Sequence, residues 1–319
     1  MALYAFKRSA AVLLILTVMS VLVFLATHAL PANTAALILG QYSTPETQAA
    51  LEHKLGLDLP LPVQYWHWAA GILFHGDLGQ SLVMERPIAP ILWDALGKSA
   101  ILSVAAMAVV ATLGLAMGVV AAVWRGRWPD HVASVFAYLG ISVPEFYWGL
   151  VLILVFGSTF RLLPTSGAAS LSDGIAQFVA HLVLPVITLT LTLLAHVARL
   201  TRSSMIEVLD STYVKVARAR GLPERVVIMR HALRNALLPS ITVLAQDFGF
   251  LIGGIVAVET VFAYPGLGRM LIFSLERQDL PMMQAAILVL TAVYCVANLG
   301  ADLLYGVFNP RIRYGGAVD

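Results

Sequence analysis

The sequence predicts an all-α integral membrane protein of six spans. Three observations carry that prediction. Hydrophobic residues make up 59% of the 319 residues, charged residues only 12%, and mean hydropathy is +0.84, a balance foreign to water-soluble domains of this length. Apolar runs of a length that crosses a bilayer core recur six times. The positive residues between those runs fall mainly on alternate loops, as they do when one set of loops faces the cytoplasm.

The runs cover roughly Ser9 to Ala29, Ser99 to Val123, Val132 to Gly157, Val179 to Ala198, Ile241 to Phe262 and Met282 to Phe308. Lys7 and Arg8 precede the first, as in a secretory signal. Its apolar stretch is longer than a signal core and lacks a small-x-small cleavage site, so it is read as a retained span. With the N-terminus inside, the inner loops hold Lys7, Arg8, Arg125, Arg127, a basic group from Arg199 to Arg234, and Arg311 with Arg313. The outer side holds Lys54, Arg86, Lys98, Arg161, Arg269 and Arg277. Both termini are therefore expected in the cytoplasm.

Residues 1–98 are read as the first span plus a folded outer segment, 99–308 as a core of five spans with an inner loop at 199–239, and 309–319 as a cytoplasmic tail. The outer segment is too long for a featureless loop. Ser43 or Thr44 with Pro45 and Glu46 opens a helix, Gly56 closes it, and Pro62 to Phe74 forms a second one ending near Gly76. Trp66 and Trp68 suit a headgroup-level belt, and either a lid over the bundle or a partner contact fits this piece. Gly114-x-x-x-Gly118 and Gly249-x-x-x-Gly253 permit close helix approach, within the bundle or between subunits.

Several chemistries find no support. The lone Cys295 gives neither a disulfide nor a Cys metal site, and the eight histidines form no i, i+4 pair on a helical face, so no metal site is assigned. No catalytic residue is assigned, because no nucleophile motif is visible. Gly97-Lys98-Ser99 ends like a phosphate-binding loop, but Leu92 stands where the first glycine belongs and no strand precedes it. Intramembrane carboxylates default to a functional reading, and Glu145 follows Pro144 in mid-span, where a broken helix exposes backbone groups to a cavity. Glu145, Asp247 and Glu259 are the candidates for a translocation pathway, with Asp247 the strongest, while Glu145, Glu259 and Asp302 suit structural pairing equally well.

The inner loop reads as helix, sharp turn, helix. Asp210 or Ser211 caps a helix running through Arg220, Gly221 supplies the left-handed residue after it, and Pro223 and Glu224 suit the next first turn. Val214, Ala217 and Gly221 share one face, with Lys215, Arg218 and Arg220 mostly elsewhere. A bland alternative is a solvated loop that fixes topology or touches anionic lipid.

The pattern Tyr213-Val-Lys-Val-Ala-Arg-Ala-Arg-Gly221-Leu-Pro followed by His231-Ala-Leu-Arg-Asn-Ala-Leu-Leu-Pro239 resembles the inner loop of bacterial ABC importer permeases of the dipeptide, oligopeptide and nickel branch. Leu55-Gly-Leu-Asp-Leu-Pro60, Gly76-Asp-Leu-Gly79, Ser81, Ser142-Val-Pro144-Glu-Phe146, Val258-Glu259-Thr-Val-Phe262, Tyr264-Pro-Gly-Leu-Gly268 and Asn309-Pro-Arg311 extend the likeness along most of the chain. Two departures from the general importer loop are Lys215 at its acidic position and Leu233-Arg234 where Leu-Pro is expected.

The resemblance implies that the loop is a coupling helix seated in a cytoplasmic ATPase, with Tyr213, Lys215, Ala217, Arg218, Ala219, Arg220, Gly221, Leu222, His231, Arg234 and Asn235 as docking residues. It implies an inner-membrane importer in which this chain forms half the pathway for short peptides. The implied partners are a second, similar permease, two ABC ATPases and a periplasmic or lipid-anchored solute-binding protein. ATP and Mg belong on the ATPases, this chain binds no cofactor of its own, and no nucleic-acid partner is implied. Nickel complexes or another small solute are alternative cargoes. A proton-coupled secondary transporter using Asp247 and Glu259 is the rival from another class.

Overall fold

The computed structural model describes residues 2–29, 44–55 and 58–308. Gly56, residues 30–43 and the tail with Asn309, Arg311 and Arg313 lie outside the described residues. Helices dominate, and among the described residues the only sheet-like pairing is one bridge between Gln80 and Pro87.

The elements are α1 (Ala2–Ala29), α2 (Pro45–Leu55), α3 (Leu61–His75), α4 (Ile88–Val123), α5 (Trp128–Ser142), α6 (Glu145–Thr159), α7 (Ile175–Leu209), α8 (Thr212–Ala219), α9 (Glu224–Val226), α10 (Leu233–Val261), α11 (Leu267–Glu276) and α12 (Leu280–Phe308). Four helices, within α1, α4, α7 and α12, are long and apolar enough to cross a membrane, and α5 with α6 makes a fifth if that pair is one span. α10, the remaining run of the expected six, is a helix of 29 residues.

Side-chain pairs give the helix directions. Arg8 meets Asp302 at 2.9 Å and Gln284 donates to Thr27 at 2.5 Å, so α1 and α12 run antiparallel. Thr192 bonds the Gly140 carbonyl while Arg202 holds Asp130, which makes α5 and α7 antiparallel. α10 runs antiparallel to α7 through His196 with Asp247 and Thr201 with Ser240. The turn at 124–127, the loop between α7 and α10 and the Arg8–Asp302 pair consequently share one end of the bundle, the end that holds most of the basic residues.

Glycine spacing serves close approach within the chain. A Cβ on Gly118 would lie 2.5 Å from the Thr201 Cβ and 2.6 Å from the Ala198 carbonyl oxygen, and one on Gly249 would strike the Asn298 side chain at 2.7 Å. Gly118→Leu is therefore expected to force α4 from α7 at a cost of about 1 to 3 kcal/mol. A lowered thermal midpoint in detergent checks this, and an unchanged midpoint would mean that the two backbones do not meet there.

Two boundaries, those of α4 and α7, differ from the sequence reading, and the break expected at Pro144 is present. α4 starts at Ile88, not near Ser99, because Pro87 opens the helix and Ile88, Leu92 and Ala95 are buried against Leu267, Met282 and Ala286. The third run is not straight: Val143-Pro144 breaks it, and α5 and α6 meet at 105°. A proline removes a donor and disfavours helix in the residue before it, so the extended Val143 follows locally. α7 extends to Leu209 and contains Pro185; at 35 residues it is about 52 Å long and must project beyond the ~30 Å hydrocarbon core.

Candidate coupling loop and membrane carboxylates

The loop between α7 and α10 is built around its own small core. Val214 and Ala217 of α8 are buried with Met205, Val227, Ala232, Ala236 and Ala122, so apolar contacts tie α8 to the ends of three longer helices. α8 begins after Ser211, one of the two expected caps, although the Ser211 hydroxyl donates back to the Val208 carbonyl and caps no α8 amide. It ends at Ala219, one residue before the expected Arg220.

Gly221 has φ +78, and its N–H donates to the Arg218 carbonyl at 2.9 Å. Left-handed backbone of this kind favours glycine. Pro223 stands just before α9 rather than within its first turn. Arg218 then closes the turn, its Nη2 and Nε donating to the two Glu224 carboxylate oxygens at 2.7 and 3.1 Å. Asn235 donates to the Tyr213 hydroxyl at 3.0 Å, joining the start of α8 to α10.

The Arg218 guanidinium holds the Glu224 carboxyl below its usual range. A carboxylate with a depressed folded pKa contributes stability above its unfolded pKa and loses it as pH falls through the folded one. Amide protection of α8, corrected for the intrinsic pH dependence of exchange, is thus expected to be flat around neutrality and to fall on acidification. Glu224→Gln should remove that pH dependence. Both side chains are largely exposed, so the loss at neutral pH is at most about 1 kcal/mol.

The expected docking residues divide between two faces. Tyr213, Lys215, Arg218, Ala219, Arg220, Gly221, Leu222, Arg234 and Asn235 are exposed, and His231 is half-buried. Ala217 corrects the reading, because it is only 6% exposed and faces the loop's own core, leaving Ala219 as the small residue on the open side. Gly221 is likewise not on the packed face, since α8 stops before reaching it. Sequence reasoning missed Val216 and Met229, which are exposed apolar residues of the loop like Tyr213 and Leu222. The signal was Tyr213, Val216 and Ala219 at three-residue steps.

The carboxylates have distinct settings. Glu259 is fully buried, accepting from the Ser99 hydroxyl at 2.5 Å and from the backbone N–H of Gly268 and Arg269 at 2.8 and 3.2 Å. A Cβ on Gly266 would lie 2.0 Å from Glu259 Oε1, so the turn before α11 wraps the carboxylate where only glycine fits. Of its two readings, this geometry is structural pairing. Asp302 pairs with Arg8, also structurally. Glu145 is half-buried in the first turn of α6, just after the break. Asp247 is buried, with Oδ1 3.1 Å from His196 Nδ1 and Oδ2 unpartnered.

The roles of three further residues emerge only in three dimensions. Ser99 and Lys98 of the phosphate-loop decoy lie inside α4, where Lys98 pairs with Asp94 at 2.5 Å and Ser99 serves Glu259. Asp279, missed by the sequence reading, is fully buried at the head of α12. It accepts from the Ser81 hydroxyl at 2.5 Å and from the N–H groups of Leu82, Val83 and Met282. It pins the segment before α4 to the opposite end of the chain. In the segment before α4, α3 packs on α1 through Tyr65 and Trp68 against Phe24, while Trp66 stays exposed.

Comparison with known proteins covers residues 1–314. Residues 114–314 match the family described as binding-protein-dependent transport system inner membrane component, and residues 1–116 match that system's N-terminal membrane component. The glutathione transport system permease protein GsiC of Escherichia coli K12 is 40% identical over 311 residues, covering 98% of this chain and 99% of its own. The protein of the same name from Salmonella typhi gives the same figures, and that from Escherichia coli O6:H1 is 41% identical. A solved structure described as an amino acid ABC transporter with histidines aligns over 70% of this chain and 94% of its own, with TM-score 0.49 and 19% identity. The chain belongs to the binding-protein-dependent transport system inner membrane components, the multi-pass inner-membrane permease subunits of ABC transporters, which move solutes and leave ATP hydrolysis to partner subunits.

Proposed function

We propose that this chain supplies half of the translocation pathway of an importer for short peptides, in a six-span arrangement with both termini in the cytoplasm and the segment after α1 in the periplasm. A second, similar permease supplies the other half. Two cytoplasmic ATPases carry ATP and Mg, a periplasmic or lipid-anchored solute-binding protein delivers the cargo, and this chain binds no cofactor of its own.

The observation that carries the reading is the inner loop. α8 is tied to α7 and α10 through Val214 and Ala217, closed by the Arg218–Glu224 pair, and presents Tyr213, Val216, Ala219 and Leu222 outward. A short rigid helix held this way transmits a push from a soluble partner to two long helices. ATP binding then biases the permease between inward-open and outward-open states through contacts that differ between them. The peptide class rests on relatives named for transport of glutathione, a tripeptide.

The test is co-purification from native membranes, followed by uptake in proteoliposomes with labelled dipeptides and glutathione. ATP-dependent uptake that requires the ATPases and the binding protein supports the reading. Uptake of a nickel complex in place of peptide would change the cargo. Uptake by this chain alone, driven by a pH gradient, would overturn it in favour of a secondary transporter.

A further inference from the structure

From Leu191 to Leu209, the exposed residues of α7 are His196, Arg199, Ser203 and Glu207. Steps of three, four and four residues put them on one helical face. All four are polar. Neighbouring α5 shows the opposite: Val132, Val135, Phe136, Leu139 and Ile141 are exposed there, as on a wall against lipid. A polar stripe on a membrane helix faces water or a subunit-lined passage, because hydrocarbon excludes it.

Polar groups at the upper end of this stripe have unused bonding capacity. Asp247 has a side chain 8% exposed, yet its Oδ2 has no hydrogen-bond partner. Buried carboxylate oxygens are normally satisfied, so a missing donor calls for an explanation. Its other oxygen takes the His196 Nδ1 contact, which in the neutral ring makes Nδ1 the donor and leaves Nε2 a bare acceptor. The His196 side chain is 47% exposed. One turn toward the inner end, Arg199 has no ion-pair partner among the described residues, whereas nearby Arg202 is spent on Asp130. Arg199 also borders a small crevice with Ser134 and Tyr138 of α5.

We propose that His196, Asp247 and Arg199 form a two-pole site for a short zwitterionic peptide in the inner part of the pathway. His196 Nε2 accepts from the peptide's ammonium group, Asp247, buried behind the ring, supplies the opposing charge, and Arg199 donates to the peptide's carboxylate. The spacing suits a small cargo: three helical residues rise about 4.5 Å, close to the length of one or two extended peptide residues. Such a site holds cargo after release by the binding protein and disfavours solutes lacking both charges. This inference rests on the peptide-importer reading.

The experiment uses the assembled transporter carrying Gln246→Cys, an exposed position beside Asp247, in a Cys295→Ala background. Labelling by a membrane-impermeant maleimide from the cytoplasmic side, without ATP, is slowed by dialanine and by S-methylglutathione but not by their N-acetylated forms or by dialanine amide. Asp247→Asn and Arg199→Gln each raise the protecting concentration about tenfold, the scale of one charge-assisted hydrogen bond. His196→Gln provides a second test of the ammonium pole should Asp247→Asn fail to assemble.

Absence of labelling, with Val135→Cys equally unreactive, would show that the face is dry and overturn the site. So would protection that ignores these substitutions or is equal for acetylated peptide. ATP-dependent peptide uptake by the unsubstituted complex is measured in parallel. Its failure would remove the importer reading, whereas its success with unaltered protection would remove only this site.

Discussion

Glu259→Ala is expected to be among the most destabilising single substitutions in this chain. The carboxylate is fully buried and receives three donors, the Ser99 hydroxyl, the buried N–H of Gly268 and the part-buried N–H of Arg269. Stranding a buried donor costs about 1 to 3 kcal/mol, so truncation should cost about 3 to 5 kcal/mol in all. That is a large share of the margin by which domains are folded. The check is the thermal midpoint in detergent together with tryptic cleavage after Arg269, which should become rapid. Glu259→Gln should lie between, since it keeps the shape but turns an amide NH₂ toward donors on one side. An unchanged midpoint with altered cargo kinetics would return Glu259 to the pathway and refute the turn role.

Gly221→Pro should uncouple the transporter while leaving it inserted. Proline holds φ near −65° and has no N–H, whereas Gly221 needs φ +78 and donates to Arg218. The turn must therefore open, and with it the Arg218–Glu224 closure and the orientation of α8. Substrate-stimulated ATP hydrolysis should fall at least about tenfold, corresponding to a coupling loss of about 1.4 kcal/mol, within the usual range for linked sites. Gly221→Ala should fall short of that, because an L-residue tolerates left-handed backbone at a cost of about 1 to 2 kcal/mol. Full stimulation in the proline variant would refute coupling through this loop. A bulky residue at Ala217 is a poorer probe, because that side chain faces the loop's own core.

Much of the architecture was legible in the residue order because it follows from short-range physics. Apolar runs and the distribution of Lys and Arg predicted membrane helices and which loops lie together, and the Arg8–Asp302 pair with the loop contact between Arg125 and Asp210 agrees with that grouping. Backbone chemistry placed the turn at Gly221, the end of α3 at Gly76 and the break at Pro144. Each needs only a few neighbouring residues. The family likeness, too, was visible in motif order before any coordinates.

What only the tertiary structure decided is which distant groups meet. Ile88 begins α4 early because Leu267 and Met282 cover it, and Asp279 gathers Ser81 and two amides from almost two hundred residues away. Ala217 turns inward because Met205 and Val227 leave it a place there, though its small size suited an open face equally well. Glu259 and Asp247 look alike as single carboxylates in apolar runs. One is wrapped by a turn and the other holds a half-exposed histidine with an oxygen to spare. The sequence by itself determined which segments are long apolar helices and much of the local backbone, since periodicity, charge and φ act over a few residues. The role of each buried polar group waited on the fold, because a carboxylate's chemistry is set by the donors that reach it, and those come from elsewhere in the chain.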